Sequence, residues 1–269
     1  LHKYTFEHEL VEDIVRALKE DELYLVYQPK IDGHTMEIFG LEALLRWNHP
    51  TYGELSPAVF IPILEKNDRM IFVTDWIIEK VCSQIARWQK VGVTFSQVSI
   101  NIPGHYVTSP HLLEGLKRTI SYYRLMPYQL ELEITETSFV KNMKEAMRAV
   151  SIFQQEGFSV ALDDFGTGVS SLSYLKKMAI STLKIDKSFV DDIPESGKDS
   201  SIIRAIIALG ESLDLAIVIE GVETKEQVDF LVTACKNPII QGYYFAKPMK
   251  PEDLLQWKEQ FQSKKLSTH

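Results

Sequence analysis

Short runs rich in branched apolar residues alternate with longer stretches of 3.6-residue periodicity along the whole chain, and this alternation predicts the elements. Strands are predicted over 23–29 (LYLVYQP), 39–47 (FGLEALLRW), 98–102 (VSINI), 130–134 (LELEI), 159–164 (SVALDD), 182–186 (TLKID), 216–221 (AIVIEG) and 239–245 (IIQGYYF). Helices are predicted between them. In DWIIEKVCSQIARWQKVG, Ile77, Val81, Ile85 and Trp88 share a face and Gly92 supplies a stop. MKEAMRAVSIFQQEG and SSIIRAIIALGESLD carry the same period, and the polar stretch 191–201 reads as a surface loop before the last of these. Eight strands separated by helices predict an α/β fold of the (β/α)8 barrel type. An open doubly wound sheet is the alternative, but the first strand–helix turn lacks G-x-G-x-x-G and no P-loop occurs.

The strand ends carry the chemistry. Glu42 follows FGL, Asn101 ends VSI, Glu133 sits in LELEIT, Asp163 and Asp164 end SVAL, Lys184 lies in TLKID, Glu220 ends AIVI and Gln241 follows II. In a barrel the carboxyl ends of the strands converge on one face. Five carboxylates would then share a small space, and each pair at ~4 Å costs a few kcal/mol even at an effective dielectric of ~20. Two divalent cations together with Lys184 bring that charge to zero. All-oxygen donors with one amide suit Mg²⁺ or Mn²⁺, and the absence of clustered His or Cys speaks against zinc. Asp163 and Asp164 can serve one site only if the backbone turns between them, since neighbouring strand residues face opposite ways. Gly166 and Gly168 are the residues expected to make that turn. Any one of these acids alone reads as a solvated strand end. It is their recurrence at the ends of apolar runs that points to a site.

Length and composition narrow the class. The chain has 269 residues, a size that α/β barrels occupy as one unit, and a formal net charge of −8, which excludes a general electrostatic grip on a nucleic acid polymer. No apolar run reaches the ~20 residues of a membrane span, and the charged N-terminal segment does not resemble a secretory leader. Cys82 and Cys235 lack metal-ligand spacing and read as core thiols of a reducing, cytoplasmic compartment. His49, beside Pro50, reads as a loop residue, and the four tryptophans as core or helix-face residues. The chain opens on Leu1, and we expect residues 1–269 to be one domain excised from a longer protein whose anchor or sensor lies elsewhere.

Taken together, YQPK, GLEALLRWNHP, LELEITET, ALDDFGTGVSSLSYL, LKIDKSFV, IEGVET and QGYYFAKPM resemble, in order and over about residues 6–258, the EAL-domain family of bacterial cyclic di-GMP phosphodiesterases. The resemblance implies a modified barrel with an antiparallel first strand. It implies hydrolysis of cyclic di-GMP to linear pGpG with two Mg²⁺ or Mn²⁺ ions, in second-messenger signalling that governs biofilm and motility. Carried over, Glu42, Asn101, Glu133 and Asp163 hold one ion, and Asp163, Asp164 and Glu220 the other. Lys184 would orient or help to deprotonate the attacking water, Glu136 would tie down the loop beginning at Phe165, and Arg46 would hold a phosphate. Gln28, Leu44, Glu223 and Gln241 become substrate-pocket positions. On a strand Glu42, Leu44 and Arg46 share a face, so one element can serve ion and phosphate together. The resemblance further implies a homodimer formed beside DFGTGVSSLSYL, and an upstream sensor or GGDEF domain. Pro103 and the residues after Glu65 depart from the family pattern without touching a proposed ligand. The rival reading is a catalytically silent cyclic di-GMP receptor; a phosphohydrolase for another dinucleotide is a third.

Overall fold

The computed structural model describes residues 2–140, 142–166 and 172–267. In chain order the elements are α1 (His2–Ala17), β1 (Leu23–Asp32), β2 (Ile38–His49), β3 (Gly53–Leu55), α2 (Pro57–Lys66), α3 (Met70–Lys90), β4 (Val98–Asn101), α4 (Pro110–Tyr122), β5 (Leu130–Thr135), α5 (Glu136–Val140), α6 (Met143–Gln155), β6 (Ser159–Phe165), α7 (Leu172–Leu175), β7 (Thr182–Ile185), α8 (Gly197–Ser212), β8 (Ala216–Ile219), α9 (Lys225–Ala234), β9 (Pro238–Ile240) and α10 (Pro251–Ser267). The sheet runs β1-β9-β8-β7-β6-β5-β4-β2-β3, and β1 also pairs with β2, which closes eight strands into a barrel and leaves β3 as a short flap on β2.

Strand direction follows from connection length. Only residues 33–37 separate β1 from β2, too few for the dozen or more of a parallel crossover, so the pair is antiparallel, with Leu23 opposite Trp47 and Gln28 opposite Glu42. β1 is therefore antiparallel to β9 as well, while every pairing from β2–β4 round to β8–β9 is parallel. The barrel is thus the modified form with an inverted first strand. β2 pairs with β4 only at Leu41 and Glu42 and then continues to His49. Glu42 accordingly lies inside a long strand, as the predicted span 39–47 has it, and reaches the mouth without being a strand-end residue like the other acids.

Several predicted boundaries move. The strand expected over 239–245 stops at Ile240, because Gly242 passes so close to another loop that a Cβ there would sit 2.1 Å from the Val222 carbonyl oxygen. The strands expected to reach Asp186 and Gly221 end at Ile185 and Ile219; Asp186 instead accepts a hydrogen bond from the Ser188 N–H. The polar stretch 191–201 is loop only as far as Ser196, whose hydroxyl caps α8 by accepting from the Asp199 N–H. Gly92 does end α3's periodic stretch, in a left-handed conformation (φ +76°) open to a residue without a Cβ.

The helices pack their apolar stripes on the strands. Trp47, fully buried, stacks edge-on against Phe60 and donates its indole N–H to Glu22 at 3.1 Å, which ties β2 to α2 and to the start of β1. Trp88 is also core, and Cys82 and Cys235 are buried free thiols, with burial pushing them up to about 12 and about 11. No helix among the described residues is long and apolar enough to cross a membrane. Trp47→Ala removes a fully packed indole and one hydrogen bond to Glu22, whose carboxylate keeps its ion pair with Arg16 at 2.7 Å. We expect it to lower the unfolding free energy by about 3–5 kcal/mol in urea titrations, and a loss below about 1 kcal/mol would contradict this packing.

Candidate active site

The parallel strands bring their terminal acids to one mouth of the barrel, around Lys184. This lysine of β7 is fully buried, and its ammonium lies 2.6 Å from Glu133 Oε2, 2.7 Å from Glu220 Oε1, 3.4 Å from Glu42 Oε2 and 3.7 Å from Asp163 Oδ2. One cation thus meets acids from four strands. Burial alone would strip its proton, but Glu133, Glu220, Glu42 and Asp163 outweigh that and hold its pKa well above the usual lysine value.

The acids divide by how much cationic help each receives. Burial favours protonation of Glu133, yet Lys184 and then Lys30 overcome it and hold the carboxyl down to about 2. For Asp163 burial wins; Lys184 offsets part of it while Glu220, Glu133 and Glu42 add to it, and the pKa rises well above the carboxylate range. Glu220 is pushed up to about 7 by burial, against Lys184 and reinforced by Glu42 and Glu133. Asp164, half-buried, is raised by burial and by the nearby Asp186. Asp163, Asp164 and Glu220 each offer an oxygen, all within 4.8 Å of one another, a spacing that one hard cation can bridge.

The turn between the two aspartates is made differently from the sequence expectation. Asp164 itself adopts a left-handed backbone (φ +55°), and the β6–β7 register slips between Leu162 and Phe165. This bulge aims both side chains at the same mouth, and the Asp164 N–H closes onto Asp163 Oδ1 at 2.8 Å. Asp tolerates this conformation better than most residues, and Gly166, itself at φ +93° where a Cβ would meet the Phe189 ring at 2.8 Å, continues the turn two residues on. Gly168 lies outside the described residues, as do positions 167–171 of DFGTGVSSLSYL. Glu136, the first residue of α5, accepts the Gly166 N–H at 2.9 Å and so anchors the beginning of that loop.

Glu42 is held from two sides. Asn101 donates its Nδ2–H to Glu42 Oε1 at 3.0 Å, which turns the amide oxygen of Asn101 away from that carboxylate. Gln241 donates to Glu42 Oε2 at 2.6 Å and to Gln28 Oε1 at 3.0 Å, and Gln28 donates to the Ala246 carbonyl at 3.0 Å. A carbonyl facing Glu42 would be repelled, so the Gln241 amide has one orientation. Its buried Oε1 has no hydrogen-bond partner among the described residues, an acceptor beside the acid cluster. This chain also seals the barrel where the β1–β9 ladder, only Ile31–Ile240 and Asp32–Ile239, has ended.

Two sequence-selected residues sit further out. Arg46, half-buried, shares a face of β2 with Glu42 and Leu44 and donates to the Leu45 carbonyl at 2.8 Å. Glu223 is exposed on the loop after β8 and pairs with Lys187 at 2.8 Å. His49 is a buried residue at the end of β2, not a loop residue, and contacts Asp13 at 2.9 Å, away from the acids. Sequence reading missed Lys30 and Glu131, a second buried lysine and acid directly beneath Glu133. The signal for Glu131 was present in LELEI, where residues two apart face the same side. Adding this pair leaves the formal charge balance unchanged: six acids against two lysines, all counted as ionised, leave an excess of four negative charges, equal to the charge of two divalent ions.

The EAL domain model matches residues 11–248 of this chain. Among curated proteins the chain is 34% identical to the bifunctional diguanylate cyclase/cyclic di-GMP phosphodiesterase MucR of Pseudomonas aeruginosa, covering 92% of this chain and 36% of MucR. It is 35% identical to the cyclic di-GMP phosphodiesterase PdeR of Escherichia coli, covering 91% of this chain and 37% of PdeR. The chain therefore spans about a third of the length of these relatives. Among solved structures it superimposes on the MucR phosphodiesterase in complex with cyclic di-GMP with a TM-score of 0.86 at 34% identity, covering 91% of this chain and 99% of that one. On the EAL enzyme Bd1971, in a form with cAMP and cyclic di-GMP bound, the TM-score is 0.88 at 32% identity, with 95% of this chain and 70% of that one covered.

The raised carboxyls make the ion-free site sensitive to pH. An acid whose folded pKa lies above its unfolded value binds more protons when folded, so the stability it lends falls as pH rises. For Glu220 the window runs from 4.5 to about 7, with Asp163 acting in the same direction. Glu133 acts in the opposite sense: its contribution is complete above 4.5 and is lost as pH falls to about 2. In EDTA we expect the unfolding free energy to decline between pH 5 and pH 8, and Glu220→Gln to remove on the order of 2 kcal/mol of that decline. A variant with the same slope in urea titrations rejects this account of the cluster.

Proposed function

We propose that this chain, which belongs to the EAL domain family, hydrolyses one phosphodiester of cyclic di-GMP to give linear pGpG, using two divalent cations, Mg²⁺ or Mn²⁺. The observation that carries this reading is the excess of four negative charges gathered at one barrel mouth, with three donor carboxylates within 4.8 Å of one another. The donor set fits such ions: oxygen ligands only, anionic except for the Asn101 amide, with the Lys184 ammonium at their centre. In this reading Glu42, Asn101, Glu133 and Asp163 hold one ion and Asp163, Asp164 and Glu220 the other.

Divalent ions at such a site supply charge neutralisation for in-line displacement at phosphorus and make water acidic enough to attack at neutral pH. The remaining work falls to the chain. Arg46 pairs with a phosphate of the substrate, and Gln28, Leu44, Glu223 and Gln241 line its pocket, the free Gln241 Oε1 supplying an acceptor. Lys184, kept protonated by its four acids, orients the attacking water by donating to it, in preference to removing its proton. Glu136 holds the backbone at Gly166, so the loop after Asp164 starts from a fixed point.

The same reading takes residues 1–269 as one domain of a longer cytoplasmic signalling protein with an upstream sensor or GGDEF domain, supported by relatives about three times as long. It includes a homodimer joined beside the loop that follows Asp164. A chain that sediments as a monomer at assay concentrations while fully active removes that dimer from the proposal.

Incubation of the purified chain with cyclic di-GMP and Mg²⁺ or Mn²⁺, followed by nucleotide chromatography, is expected to yield pGpG and to be silenced by EDTA. Binding without pGpG establishes the silent receptor instead, and preferential turnover of another dinucleotide redirects the substrate assignment. Glu42→Ala is expected to cost at least ~10²-fold in kcat, and Lys184→Met to reduce kcat far more than substrate affinity. Near-normal turnover in the first, or a pure affinity loss in the second, contradicts the assigned roles.

A further inference from the structure

Beneath the acids of the mouth lies a second charged layer that the proposed chemistry does not use. Lys30 of β1 is fully buried and donates to Ser99 Oγ at 2.6 Å, Glu131 Oε1 at 3.1 Å and Glu133 Oε1 at 2.9 Å. An ammonium has three hydrogens, so all are committed. Ser99 passes its own hydrogen to Glu131 Oε1 at 2.6 Å, and Thr182 donates to Glu131 Oε2 at 2.7 Å. Side chains from β1, β4, β5 and β7 thus close one network across the barrel interior.

Stability does not account for it. Barrel interiors are ordinarily filled with branched aliphatic side chains. A buried ion pair is often no more stabilising than well-packed apolar residues of the same volume. What the network does have is a one-sided grip on Glu133. That carboxylate divides its oxygens between two lysines, Oε1 with Lys30 and Oε2 with Lys184 at 2.6 Å. The two lysines differ in freedom. Lys184 also contacts Glu220, Glu42 and Asp163, and so can release Oε2 while staying paired. Lys30's other partners, Ser99 and Glu131, are themselves buried and fixed to neighbouring strands.

We propose that Lys30 is a positioning residue that retains Glu133 by Oε1, so that the carboxylate presents Oε2 alone to a divalent cation. The inference rests on Glu133 being an ion ligand, as proposed above. It carries a consequence for which ion is accepted. Ca²⁺ readily takes both oxygens of a carboxylate, whereas Mg²⁺ demands a compact octahedron. A Glu133 restricted to one oxygen therefore favours the smaller ion over Ca²⁺.

Manganese titration of the folded chain, followed by calorimetry and by the electron paramagnetic resonance of the free ion, tests this without any turnover. Lys30→Met is expected to weaken Mn²⁺ binding ~10–100-fold, the usual effect of losing the partner that orients a ligand. Lys30→Arg, which keeps a buried cation with N–H donors at this position, is expected to recover part of that loss, and no recovery in a folded Lys30→Arg would contradict the role. A folded Lys30→Met whose Mn²⁺ affinity stays within about threefold of the parent overturns the proposal. Should that variant not fold, manganese-soaked crystals of the unsubstituted chain decide. Coordination through Oε2 alone, with Lys30 still on Oε1, is the expected result. Coordination through both oxygens, or a withdrawn Lys30, sinks the role of Lys30 and leaves the ion assignment standing, whereas manganese density absent from Glu133 overturns the ion assignment and this inference with it.

Discussion

Like charge confined in a poorly solvated space is the constraint on which this structure turns. Glu42, Glu131, Glu133, Asp163 and Glu220 project into or onto one barrel interior, with Asp164 at its rim, and among the described residues Lys30 and Lys184 oppose them. Separate lysine contacts let Glu133 stay ionised, while Asp163 and Glu220, sharing what remains of Lys184, move toward protonation. The arrangement is tolerable because some of these groups can hold protons, and in the proposed function divalent cations would take the place of those protons. Such a site is paid for in stability by the rest of the barrel.

Barrel closure and site geometry are the same problem here. The short β1–β2 connection inverts β1, which lets β2 run past the rim of β4 and carries Arg46 above Glu42 on a single face. The inverted strand meets β9 over only two residue pairs, and the gap above is closed by a backbone bridge between Tyr27 and Met249 together with side chains, Gln28 to Gln241 and Gln28 to the Ala246 carbonyl. Those glutamines also fix Glu42. Loss of regular ladder at the mouth is thus accompanied by a hydrogen-bond chain that orients an acid of the cluster.

Much of the site was legible before folding. An isolated acid ending an apolar run is ambiguous, but Glu133, Asp163–Asp164 and Glu220 do so in three of four successive strands, and Lys184 interrupts the fourth. The inversion of β1 entered through the family resemblance, since hydrophobic periodicity is blind to strand direction; the structure shows its cause in the five residues that join β1 to β2. Asp164's left-handed turn was not legible, because the choice between an aspartate and a nearby glycine as the turning residue depends on the β6–β7 register. Nor was the end of the last strand at Ile240, set by the approach of Gly242 to Val222.

Residue order along the strands determined which charged groups face the barrel interior, since alternation on a strand is a local property and Glu131 and Glu133 must share a side. Which charges cancel was decided only by the tertiary structure. Lys30 meets Glu133 across 103 positions of sequence, and Lys184 meets Glu42 across 142. Coulomb's law acts through distance in space, and the chain acquires those distances only when the barrel closes.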